Sequence, residues 1–148
     1  MFSSFLRTLP EITLFHNKVS PPSVRALALL QSAVSSPYPP NGTSRAPLKF
    51  NLTVAENPPT PDQVRTILSY LRSSDVAVLL SAHPSVGDHR PTTPEALVRL
   101  VESTPNALKW PVVVDWSSGR ATAGSTEGVL EILEYLRKVR DSKAKSDG

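Results

Sequence analysis

No cysteine occurs anywhere in the 148 residues, which removes disulfides, thiolate metal sites and cysteine nucleophiles together. Thiol chemistry by this chain would have to take its sulfur from outside. Long apolar runs are missing too: none approaches the roughly 20 residues needed to cross a bilayer, so no membrane span is expected. The start, MFSSFLRTLP, is too short and too poor in apolar residues for a secretory signal. It does carry Ser3, Ser4 and Arg7 among Phe2, Phe5 and Leu6, with no acid before Glu11. That is the composition of a clipped mitochondrial presequence, although an ordinary N-terminal arm looks the same. With no secretory route, the Asn-x-Thr sequons at Asn41 and Asn51 carry no weight as glycosylation sites. Also absent is a basic stripe interleaved with stacking aromatics, the signature of RNA or single-stranded DNA binding. Net charge is +3, the basic residues crowd the last stretch RKVRDSKAKSDG, and Phe15, Phe50, Tyr70 and Tyr135 fall at apolar positions. No nucleic-acid partner is expected, and the aromatics read as core.

What is present suits one compact domain, since 39% apolar content in a chain of 148 residues builds one sizeable core and leaves little for a second. The 15 prolines, about twice the usual frequency of roughly 5%, sit mostly in loops and at helix starts and act as punctuation. Ile12 to Phe15 is a short β-type run ended by His16 and Asn17, and Ser20-Pro21 supplies an N-cap and a first-turn proline. In the helix that follows, Val24, Leu27, Ala28 and Val34 recur at helical spacing as its inward face. SSPYPPNGTSRAP, with Asn41-Gly42, is a long loop. LKFNLTV alternates, which places Leu48, Phe50, Leu52 and Val54 on one face of a half-buried strand. Thr60, Pro61 and Gln63 open a capping-box helix with Val64, Ile67, Leu68 and Leu71 inward. DVAVLLSAH is open between a buried strand and a helix. Thr93-Pro94 caps another helix with Leu97, Leu100 and Val101 inward, and KWPVVVDWSSGRATAG is a hairpin turning at Ser117 to Gly119. The last helix starts near Thr126 and keeps Val129, Ile132, Leu133 and Leu136 on one face before a charged tail that leaves for solvent. Residues 1–11 are thus expected as an arm, 12–140 as the domain and 141–148 as the tail.

The order β-α-β-α-α-β-β-α, with a parallel βαβ unit first and an antiparallel hairpin last, is a thioredoxin-type arrangement. ITLFHNKVSPPSVRALALL resembles the opening of the glutaredoxin-dependent arsenate reductase and Spx group, whose pattern is strand, His-Asn-Pro-x-Cys-x-x-Ser, helix. His16, Asn17 and Ser23 match that pattern, Ser20 takes the cysteine position, Lys18 replaces the proline, and Arg25 lies one residue beyond the arginine. Closer still is the resemblance to a fungal family of mitochondrial redox proteins, carried by LFHN, SPxSVRALALL, PPTPDQVRTIL and WPVVVDWSSGRA, from Ile12 to Leu136. It implies an α/β, thioredoxin-like fold of the arsenate reductase and Spx type, with a mixed four-stranded sheet flanked by helices. It also implies a mitochondrial oxidoreductase.

In a true reductase the helix start favours a thiolate through free backbone N–H groups and the helix dipole. A serine hydroxyl titrates too high for the same help to make an alkoxide. Some glutathione transferases, which share the domain, use a serine at this location to hold the thiolate of glutathione, and the resemblance extends that catalytic role to Ser20. The competing reading makes Ser20 an N-cap alone, worth about 1 kcal/mol. Trp110-Pro111 stands where such folds place a cis-proline whose backbone pairs with a bound peptide or tripeptide, so a cis bond is predicted. The background for any X-Pro bond is only about 5–6%. Trp110 either covers the site or plugs the core, and Trp116 reads as packing. His16 would need an orienting acid to act as a base on Ser20, and no local spacing supplies one. His83, His89 and Asp88 around PSVGD are too sparse for a metal site, and none is expected. Arg90 and Arg120 would lend positive charge near a substrate, or are solvated. The basic C-terminal run would touch an acidic membrane or partner, or is simply a solvated tail.

Two functions follow. In one, His16, Asn17, Ser23, Trp110, Pro111 and Arg120 bind a substrate beside Ser20, and an external thiol such as glutathione carries the electrons, with no cofactor held permanently. In the other, a monomeric thioredoxin-like module binds a protein partner and catalyses nothing. The missing thiolate argues against arsenate reduction in either case.

Overall fold

Strand β1 (Glu11–Phe15) is the pivot of the sheet, paired in parallel with β2 (Asn51–Ala55) and antiparallel with β3 (Val112–Asp115). The hairpin partner β4 (Arg120–Ala123) completes the order β2-β1-β3-β4. This computed structural model describes residues 9–40, 46–81 and 90–147, with side chains through Ser142. The presequence-like start, the Asn41-Gly42 turn with its sequon, and the loop with His83, Asp88 and His89 lie outside the described residues.

Four helices cover the sheet: α1 (Pro21–Ser35) and α4 (Thr126–Asp147) on one face, α2 (Pro61–Tyr70) and α3 (Pro94–Ser103) on the other. Side chains alternate along a strand, so Ile12 and Leu14 of β1 enter the α1/α4 layer while Phe15 enters the α2/α3 layer. Central β3 is covered on both faces, and Val112, Val113 and Val114 are each fully buried. That explains its unbroken apolar run. The Thr60 capping box forms as expected, with Gln63 N–H donating to Thr60 Oγ1 at 3.2 Å and Thr60 N–H to Gln63 Oε1 at 2.9 Å.

Several sequence expectations are corrected. The buried face of α1 is Ser23, Ala26, Leu30 and Ala33, whereas Val24 is 48% exposed. The helix is turned to bring the polar Ser23 inward, which hydropathy alone would not choose. Ladder pairing of β2 begins only at Asn51, although Leu48 and Phe50 are buried ahead of it, and Val54 is 42% exposed because β2 is an edge strand. The ambiguous DVAVLLSAH contains a short 3-10 turn, Val76–Leu79, followed by a single bridge between Leu80 and Leu108. The charged tail stays helical to Asp147, braced by Arg137 between Glu134 and Asp141 and by Arg140, whose Nη1 donates to the Ala46 carbonyl at 2.9 Å. Hydrogen bonding from Arg137 holds the Glu134 carboxyl below its ordinary range, and bonding from Arg140 does the same for Asp141.

Candidate functional site

The C-terminal end of β1, the start of α1, the start of β3 and the end of β4 meet at one edge of the sheet, since Phe15 pairs with Val112 and Val112 with Ala123. His16 continues the β1 line, its N–H donating to the Ala55 carbonyl at 2.7 Å. Its ring is buried, with Nδ1 2.6 Å from Ser23 Oγ, and the same oxygen accepts the Asn17 N–H at 3.0 Å. Donating the single hydroxyl proton of Ser23 to Nδ1 satisfies both groups and leaves the ring proton on Nε2. Asn17 tightens the turn with its Oδ1 accepting Val19 N–H at 3.1 Å and its carbonyl accepting Ser20 N–H at 3.0 Å. His16, Asn17 and Ser23 therefore form one brace at the strand-to-helix junction. His16 is bonded to Ser23 and not to Ser20, so the base-on-Ser20 arrangement is not assembled.

Ser20 occupies the N-cap position with an extended backbone, and its carbonyl accepts Val24 N–H at 3.0 Å, yet its side chain makes no cap hydrogen bond. Pro21 and Pro22 fill the first two helical positions and neither has an N–H to give, so the Ser23 N–H at the third position is the one donor left within reach of a cap, and the Ser20 side chain does not take it. A helix start that would otherwise offer several donors to an anion is reduced mainly to the Ser23 N–H. The hydroxyl, with no partner among the described residues, lies instead in the wall of a cavity of about 500 Å3 shared with Asn17, Lys109, Trp110 and Gly124.

The Trp110-Pro111 bond is cis, as predicted. Its backbone is less available than the resemblance implied: Trp110 N–H donates to the Leu108 carbonyl at 3.0 Å, and the Pro111 carbonyl accepts Gly124 N–H at 2.7 Å. Trp110 is only 8% exposed, and its Nε1–H is tied to the Pro105 carbonyl at 2.7 Å. One ring thus plugs the core and also lines three cavities: the Ser20 cavity, one with His16, Lys18 and Glu56, and one along Pro58, Pro59 and Glu102. Trp116 is a packing residue, its Nε1–H on Thr13 Oγ1 at 2.9 Å and its ring edge-on to Tyr70 at 6.3 Å.

Arg120 is not brought to this edge. Its backbone stands opposite Asp115 in the β3–β4 ladder at the far end of β4, and its guanidinium lies 3.8 Å over the Tyr135 ring. Arg90 is exposed. Among the described residues no group of three or more His, Asp or Glu could hold a metal ion, and no helix is long and apolar enough to cross a membrane. Two contributors were missed from sequence. Lys109 lines the Ser20 cavity, and Gly124 must be glycine: its φ is +72°, and an added Cβ would fall 2.3 Å from Lys109 Cγ. The lysine directly before Trp-Pro was the available signal.

The strand order and the helices on both faces define a thioredoxin-like fold of the arsenate reductase type. Solved structures agree on the fold: an arsenate reductase from Vibrio cholerae is 20% identical with a TM-score of 0.58, covering 84% of this chain and 99% of that one. A Yersinia pestis protein assigned as an arsenate reductase is 21% identical with a TM-score of 0.56, covering 83% and 98%. At such identities the likeness establishes the fold alone. The chain belongs to the family described as Protein of unknown function (DUF1687), whose model matches residues 2–124. No curated protein matches the sequence.

Proposed function

We propose that this protein is a thioredoxin-fold oxidoreductase that works with an external thiol such as glutathione. The observation that carries the reading is Ser20, whose side chain makes no cap hydrogen bond and which lines a cavity of about 500 Å3 next to the cis Trp110-Pro111 bond. Ser20 donates a hydrogen bond to the bound thiolate, Lys109 takes a carboxylate of the tripeptide, and the His16, Asn17 and Ser23 brace holds the loop that carries Ser20. The thiolate attacks a disulfide, forming one S–S bond as another breaks, and the displaced thiolate leaves with the electron pair. The protein itself is neither oxidised nor reduced. The presequence-like start supports a mitochondrial setting and the chain acts as a monomer.

Amide chemical shifts followed during titration with reduced glutathione test this. Saturable shifts at Ser20, Ser23, Val24 and the Trp110 indole, weakened about tenfold or more by Ser20→Ala, are expected for one hydrogen bond to a charged group. The absence of shifts at roughly 10 mM glutathione, a concentration well above a useful affinity, would sink the reading.

A second reading is favoured by a separate observation: Val19 is 75% exposed and Val24 48% exposed, on either side of Ser20. Apolar side chains left in water around a site fit a docking face for a protein partner, and this is the function to pursue if glutathione fails.

A further inference from the structure

At the opposite end of β4 from Ser20 lies a second, polar cavity of about 410 Å3, walled by Tyr70, Arg72, Ser118, Arg120, Thr122 and Glu131. Arg72 draws attention through its backbone. It follows the last turn of α2, where Ser73 N–H reaches back to the Leu68 carbonyl at 3.0 Å and Arg72 N–H to the Ser69 carbonyl at 3.1 Å. This is a Schellman closure, which needs a left-handed residue and usually takes glycine. Here the residue is arginine at φ +57°, the one positive-φ residue other than glycine among those described. A side chain is disfavoured there relative to glycine, and residues kept in such backbone regions gather at functional sites.

The second arginine is held by different means. Arg120 is fixed on a strand, and stacking on Tyr135 at 3.8 Å orients its guanidinium while leaving its in-plane N–H donors unused. Neither Arg72 nor Arg120 forms an ion pair among the described residues. The hydroxyl proton of Ser118 is committed to Asp115 Oδ2 at 2.7 Å, so Ser118 presents only acceptor capacity to the cavity. Thr122 adds a hydroxyl, and Glu131 supplies the one carboxylate on the wall.

We propose that this cavity binds a phosphate monoester that also carries an amino or hydroxyl group. A single guanidinium satisfies a carboxylate through two parallel bonds, whereas a dianion with three terminal oxygens uses two. Glu131 takes the amino or hydroxyl group, a part of the ligand that a bare anion lacks. The volume suits a small metabolite. The site is independent of Ser20 and of any thiol.

The test is amide chemical-shift titration at constant ionic strength with O-phosphoserine, inorganic phosphate and serine. Saturable shifts at Arg72, Ser73 and Gly119 to Thr122 are expected with phosphoserine, weaker ones with phosphate and none with serine. Arg72→Gly should raise the melting temperature by relieving the backbone yet weaken phosphoserine about tenfold or more, the scale of a lost charge-assisted pair. Arg120→Gln should weaken it similarly, and Glu131→Gln should bring phosphoserine down to the affinity of phosphate. The proposal is overturned if phosphoserine produces no shifts, if Arg72→Gly leaves affinity unchanged, or if it lowers the melting temperature, since Arg72 would then serve the fold.

Discussion

Ser20 and Ser23 stand three positions apart at one helix start and have opposite relations to their surroundings. Ser23 is fully buried and its hydroxyl ties His16 to the Asn17 backbone, while the Ser20 side chain makes no hydrogen bond among the described residues. Ser23→Ala should leave a buried ring nitrogen and a backbone N–H without partners, a loss of about 1–3 kcal/mol. Ser20→Ala should cost less than about 0.5 kcal/mol, not the roughly 1 kcal/mol of a working cap. Urea unfolding of the two variants decides it, and equal losses would contradict the geometry. At this scale the His-Asn and Ser23 positions were legible from the motif. The uncapped side chain of Ser20 was not, since Ser20-Pro21 reads as an N-cap and the Ser23 N–H remains within its reach.

Among the elements, α1 carries the functional consequence. A thiolate at a helix N-terminus is stabilised by free N–H groups and the dipole, and Pro21 and Pro22 remove two of those donors. A thiol introduced by Ser20→Cys should therefore titrate near the ordinary value of about 8.5, and adding Pro22→Ala should lower it by restoring one donor. Iodoacetamide alkylation rate against pH reads this without background, because the chain has no other thiol. A thiol in the single variant already titrating below about 7 would refute the account. The β-type runs and helix caps were readable because turn residues and proline announce them locally. The face of α1 was not, since Ser23 is drawn inward by a histidine seven residues earlier, a contact no helical periodicity encodes.

For the whole molecule, α4 matters through its docking on the hairpin. Gly128 packs so closely on β4 that a Cβ there would fall 1.9 Å from Thr122 Oγ1. Gly128→Ala should destabilise by about 1–3 kcal/mol, the range for overpacking, and Thr122→Ala in the same chain should recover part of the loss. A thermal melt that shows Gly128→Ala neutral would mean that α4 rides free of the hairpin. The same hairpin separates the two candidate sites, with Gly124 at the Ser20 edge and Arg120 at the far end.

The sequence by itself determined the α/β element order, the thioredoxin-like fold and the exclusion of any thiol of its own, and it marked His16, Asn17 and Ser23 without showing that they bond to one another. Those features rest on local chemistry: hydropathy period, capping residues, proline positions and residue type. Tertiary structure alone decided that Lys109 and Gly124 join Ser20 and that Arg72 and Arg120 line one separate cavity. These residues lie far apart in the chain. Strand direction carries Arg120 away from the edge where β4 meets Pro111, and no spacing along a sequence states which end of a strand lies beside which helix.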